Sequence, residues 1–106
     1  MSNEEPGQFD RIDHVTVCVA SLPAAVKWYT TSFQCSVAYE DKTQAVLQFA
    51  NIRLTLVLPS QQPPHLAFCR RDAGTLGELQ ERPDGSRSSY IADPTGNVIE
   101  IIEAKE

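Results

Sequence analysis

A proline-rich break constrains this chain more than any other feature. Residues 59–64 read PSQQPP. Three of these six positions are proline, which has no backbone N–H to give, so neither a strand ladder nor a helix runs through them. On each side of the break the hydrophobic pattern begins the same order of elements. Residues 12–19, IDHVTVCV, are apolar and rich in β-branched side chains and read as a strand. Ser21 can cap a helix with Pro23 in its first turn. Leu22, Ala25, Val26, Tyr29 and Phe33 then fall at helical spacing over residues 22–33. Three β-like runs follow at 35–40, 44–49 and 52–58, separated by the turn candidates Asp41-Lys42 and Ala50-Asn51.

After the break the order restarts. Residues 65–70 read as a strand, and Asp72 can cap a short helix over 73–80, which Gly74 and Gly77 weaken. Pro83-Asp84-Gly85 is a turn, 87–92 a strand, Asp93-Pro94-Thr95-Gly96-Asn97 a second turn, and 98–103 a last strand. The expectation is an α+β domain over residues 11–106, with modules at about 11–58 and 64–103, preceded by a loose N-terminal extension over 1–10. The second module is shortened, because between Gln80 and Arg87 there is hardly room for the extra strand that the first module has.

Strand side chains alternate between faces. Val15, Val17 and Val19 share one face of the first strand, leaving His14, Thr16 and Cys18 on the other. Leu54, Leu56 and Leu58 oppose Arg53, Thr55 and Val57, and His65 and Ala67 oppose Leu66 and Phe68. Glu100 shares a face with Val98 and Ile102. The solution consistent with all four strands puts helices outside the sheet and a cleft inside, lined by His14, Thr16, Arg53, Thr55, His65, Ala67 and Glu100.

Composition narrows the function classes. With 106 residues, 42% hydrophobic and 22% charged, the chain is an ordinary globular mixture of one-domain size. A net charge of −5 and the lack of any basic run argue against nucleic acid or an anionic membrane as partner. No apolar stretch is long enough to span a bilayer, and the acidic start MSNEEPGQFD lacks a signal core, so the expected location is cytoplasmic. Cys18, Cys35 and Cys69 are odd in number and widely spaced, as expected of free thiols rather than a disulfide framework.

His14 and His65 are the only histidines, and both fall early in strands on the inward face. With Glu100 they make two imidazoles and one carboxylate, a facial set that suits a divalent first-row metal with open positions. The closing run SSYIADPTGNVIEII, a tyrosine, then Asp-Pro-x-Gly-Asn, then a strand carrying a glutamate, resembles the closing motif of the vicinal oxygen chelate superfamily. That superfamily includes glyoxalase I, bleomycin-resistance proteins, fosfomycin-resistance thiol transferases and extradiol dioxygenases. The opening IDHVTVCVASLPAAVKWYTTSF resembles its first strand and helix, so the likeness spans about residues 11–103.

The resemblance implies a cupped sheet of two βαβββ modules around a divalent ion (Zn, Mn, Fe, Ni or Co), with His14, His65 and Glu100 at the ligand positions. It also implies a homodimer. Glyoxalase I has a further glutamate on the fourth strand as ligand and base, and here that position is Arg53. A guanidinium neither ligates a metal nor accepts a proton at neutral pH. At about 5 Å and an effective dielectric of about 20, a +1 and a +2 charge repel by roughly 6–7 kcal/mol, which an anion between them relieves.

Two functions follow from the resemblance. One is a metal-dependent lyase or isomerase acting on a small, oxygen-bearing anionic molecule, distinct from glyoxalase I, with Arg53, Thr16, Thr55 and Tyr90 as substrate-binding candidates. Iron oxygenation is the weaker form of this reading, since the pocket offers no additional acid–base residue. The other is a metal-free sequestration protein of the bleomycin-resistance type.

Overall fold

The computed structural model of the chain describes residues 9–104. The extension expected over residues 1–10 therefore lies outside the described residues except for Phe9 and Asp10. Before the break come β1 (Arg11–Cys18), α1 (Leu22–Ser32), β2 (Ser36–Glu40), β3 (Gln44–Gln48) and β4 (Arg53–Val57). After it come β5 (His65–Arg70), a single 3-10 turn (Ala73–Thr75), β6 (Gln80–Glu81), β7 (Arg87–Ala92) and β8 (Val98–Glu103). All eight strands join one mixed sheet in the order β2-β3-β4-β1-β5-β8-β7-β6. Among the described residues no helix is long and apolar enough to cross a membrane.

The order is symmetric about its centre. β1 pairs with β4 in parallel and β5 with β8 in parallel, while β1 and β5 meet antiparallel. Each half therefore contributes its first strand to the middle of the sheet.

In the first half α1 covers the outer face. Ser21, in extended conformation, caps it by accepting a hydrogen bond from the Ala24 N–H at 3.3 Å, and Pro23 stands in its first turn. Leu22 enters a core with Ala45, Leu47 and Leu56, flanked by Val17, Val19, Leu54 and Leu58. The valine and leucine faces predicted by alternation are thus the faces under the helix.

The second half departs from expectation in two places. Where a helix over 73–80 was expected, only Ala73–Thr75 turns, and the chain then crosses the outer face of β7 in irregular conformation. Its closest approach is at Gly77, where a Cβ would collide with the Ser89 side chain. Glycine is needed there for proximity, and a helix with side chains on every face would not fit so near the strand. The strand for which there was hardly room is present as the two-residue β6, which pairs with β7. Between β7 and β8 the Asp93 carboxylate accepts hydrogen bonds from the backbone N–H groups of Thr95, Gly96 and Asn97, and Gly96 adopts φ 102°.

Candidate metal centre

One row of paired residues builds the site. His14 on β1 is registered with Arg53 on β4 and with Ala67 on β5. Ala67 is registered with Glu100 on β8, and Glu100 with Tyr90 on β7. Arg53, His14, Ala67, Glu100 and Tyr90 therefore lie side by side on the inner face of five adjacent strands. The neighbouring row carries Thr55, Thr16 and His65. Ala67 is fully buried between the histidines and the glutamate, and its small side chain leaves the space above it clear. The cleft has a volume of about 480 Å³, within the range of small-molecule sites.

His14 and Glu100 line this cleft and converge with the buried His65, ligand atoms lying within 4.8 Å of one another. Glu100 Oε1 lies 3.3 Å from His65 Nε2 and 3.6 Å from His14 Nε2. Donor atoms sharing an ion at roughly 2.1 Å stand roughly 3.0–3.4 Å apart; the two Glu100–histidine distances are at or just above that range, and the two histidines must close from within 4.8 Å.

Both imidazoles are presented by their other nitrogen. His65 Nδ1 lies 2.9 Å from the Pro63 carbonyl and, facing an acceptor, must carry the proton. That leaves Nε2 with a lone pair, buried and without an aligned hydrogen-bond partner. A lone pair facing a carboxylate oxygen is a repulsive arrangement unless a cation lies between them. His14 Nδ1 donates to Asp13 Oδ2 at 2.8 Å in the same manner. The donor set of two neutral Nε2 atoms and one carboxylate therefore fits a divalent first-row ion.

Asp13 reaches His14 through a bulge. Pairing with β5 skips from Ile12 to His14, so Asp13 is the extra residue and its side chain turns to the histidine's side of the strand. The His14 hydrogen bond, reinforced by the charges of His14, Arg53 and Arg11, outweighs burial and holds the Asp13 carboxyl below its ordinary range.

Glu100 is anchored by Ser88, whose hydroxyl donates to Oε2 at 2.8 Å. Ser88 must donate in this direction because its oxygen already accepts from Arg82 Nε at 2.7 Å. Arg82 also donates to the Ser88 carbonyl at 3.2 Å and lies over the Tyr90 ring, 5.1 Å from its centroid. Oε1 is thus left facing the histidines. Burial alone would raise the Glu100 pKa, but a hydrogen bond from His65 in its doubly protonated form, the Ser88 hydrogen bond and the histidine charges bring it below the ordinary value. Burial likewise pushes His65 down, and the Glu100 carboxylate and Pro63 carbonyl more than reverse it, so its pKa is raised.

The remaining expected residues line the same cleft. Thr16 is buried with Oγ1 unpartnered among the described residues, and Thr55 is its neighbour on β4. Tyr90 packs edge-on against His65, ring centroids 5.3 Å apart. Glu100 is held by Ser88 and not by its register partner Tyr90. Arg53 stands at the mouth and donates to Gln48 Oε1 at 3.2 Å, with no ion pair to Glu100.

Asp13, Ser88 and Arg82 were not anticipated. For Asp13 nothing local in the sequence announces a bulge. Ser88 was accessible by parity, being two residues before Tyr90 on the same strand. Arg82 owes its place to the β6–β7 hairpin, which brings it back over β7.

Neither family models nor curated proteins match this sequence. Solved structures do. A member of the glyoxalase/bleomycin resistance protein/dioxygenase superfamily from Vibrio splendidus superposes with a TM-score of 0.71 at 10% identity, over 89% of this chain and 98% of its own. The chain has this superfamily's fold. A hypothetical protein from Bacillus halodurans gives 0.69 at 15% identity over 92% and 96%. A variant of Streptomyces coelicolor methylmalonyl-CoA epimerase, in complex with 2-nitronate-propionyl-CoA, gives 0.68 at 19% over 87% and 92%. The cupped α+β architecture expected from the motif resemblance is therefore the observed one.

Proposed function

We propose that the protein is a metal-dependent enzyme of lyase or isomerase type acting on a small oxygen-bearing anion. The observation that carries this reading is the buried, unpartnered His65 Nε2 facing Glu100 Oε1 beside His14 Nε2, with both Nδ1 atoms engaged elsewhere. The epimerase neighbour places small-molecule chemistry on the same fold. One fold hosts many activities, and it is this chain's own side chains that favour this one.

His14, His65 and Glu100 would hold the ion, which when bound supplies Lewis-acid stabilisation of negative charge on a chelated oxygen. Thr16 Oγ1, buried in the cleft, can hydrogen-bond a substrate oxygen beside it. Burial and the Glu100 charge raise the Tyr90 pKa, so its hydroxyl keeps its proton and can serve as a donor. Arg53 attracts the anionic group. Residues 11–106 act in this reading as one unit, its modules joined by the proline linker. Free Cys18, Cys35 and Cys69 support a reducing, cytoplasmic location. Ile12 and Leu66, apolar and exposed on the outer sheet face, support a homodimer.

Metal analysis of the purified protein tests the proposal. One divalent ion per chain is expected, lost in both His65→Ala and Glu100→Ala. Wild-type protein that takes up no stoichiometric metal after supplementation would sink it and favour the second reading, metal-free sequestration of a small molecule. That reading draws on the raised His65 pKa, which lets a proton on Nε2 substitute for the ion against Glu100.

A further inference from the structure

We infer that the cleft takes a small dianion, one acidic group on Arg53 and the other on Arg82, with the ligand trio between them. The inference deepens the metal-dependent reading and rests on it for what is chelated in the middle. Arg53 is the register partner of His14 on one side of the trio. Arg82 is two hydrogen bonds from Glu100, through Ser88, on the other, and stands on the ring of Tyr90, the register partner of Glu100. The row from Arg53 to Tyr90 crosses four strand spacings, an arc of roughly 19 Å along the sheet. Both side chains line the one cleft.

Neither arginine is used up by the protein. Arg53 meets the neutral Gln48 amide and Arg82 the neutral Ser88 and Tyr90, and the ion pairs made by Asp10, Asp13, Asp72, Glu100 and Glu103 involve neither arginine. Both keep guanidinium N–H groups free to grip an oxyanion in the planar, two-point manner suited to carboxylate or phosphate. Thr16 Oγ1 adds an unpartnered buried hydroxyl in the interval.

The test is calorimetric binding to the metal-supplemented protein at pH 7.5. The probes are malonate, succinate, glutarate and adipate, with 3-phosphonopropionate to separate phosphate from carboxylate recognition and butyrate as the monoanion. At least one doubly acidic probe should bind ten times or more tighter than butyrate. Arg53→Gln and Arg82→Gln should each reduce that ratio to about one, and Arg82→Lys should restore part of it. Dicarboxylates chelate a divalent ion better than butyrate does, so the ratio is compared between variants at equal metal content and again in chelator, where a preference borne by the metal disappears and one borne by the arginines remains. Butyrate binding as well as every dianion overturns the inference, as does a preference that survives in either glutamine variant. Metal content measured on the same samples reports separately on the metal-dependent reading.

Discussion

Which nitrogen of each histidine faces the cleft is decided by what its other nitrogen touches. Pro63 and Asp13 make that choice for His65 and His14, and Ser88 makes the matching choice between the Glu100 oxygens. These contacts have a pH signature. In metal-free protein the Glu100 pKa is lowered from 4.5, so its contribution to stability is present above 4.5 and is lost as pH falls through the lower folded value. The His65 pKa is raised from 6.5, so its contribution is complete below 6.5 and is lost as pH rises through the higher folded value. The pair stabilises most between those two pH values. Bound metal reverses the upper slope, because protons compete with it for Nε2. Urea midpoints should therefore fall from pH 6.5 to 8 in chelator and rise in the metal-loaded protein. His65→Gln should remove both trends, and equal slopes with and without metal would refute the assignment.

At the scale of elements, periodicity identified the strands because each buries one face, and α1 because its apolar side chains recur at helical spacing. The segment after β5 resisted this reading. Ala73, Leu76 and Leu79 have helical spacing, yet Gly77 draws the chain against Ser89 and only one turn forms. The decisive contact comes from a strand twelve residues later and has no local signal. Gly77→Ala should destabilise the protein by about 1–3 kcal/mol, as overpacking at a close approach does. Chemical denaturation measures it, and a neutral effect would show that this segment shifts freely. The Asp13 bulge belongs to the same scale: register between β1 and β5 turns Asp13 towards the site.

Across the whole molecule, the candidate ligands join the two halves. His14 comes from the first half, and His65 and Glu100 from the second, across the β1–β5 seam. A metal held there would link the halves as well as serve chemistry. At a hundredfold excess over Kd, binding adds about 2.7 kcal/mol. In a domain near this size, where each kcal/mol moves Tm by about 4–8 °C, the rise should be on the order of 10–20 °C. Thermal scans with metal and with chelator check this, and His65→Ala should abolish the difference.

The sequence by itself determined the element order, the inward faces and the His14, His65 and Glu100 set, because alternation and proline act locally and leave their mark in the residues. It also showed Arg53 where the resembled glyoxalase I has a carboxylate. The tertiary structure alone decided that these side chains share one row over Ala67, that Asp13, Pro63 and Ser88 aim them, and that Arg82 closes the far end. Those facts depend on strand register, a bulge and a hairpin's return path, which are settled only when distant segments pack together.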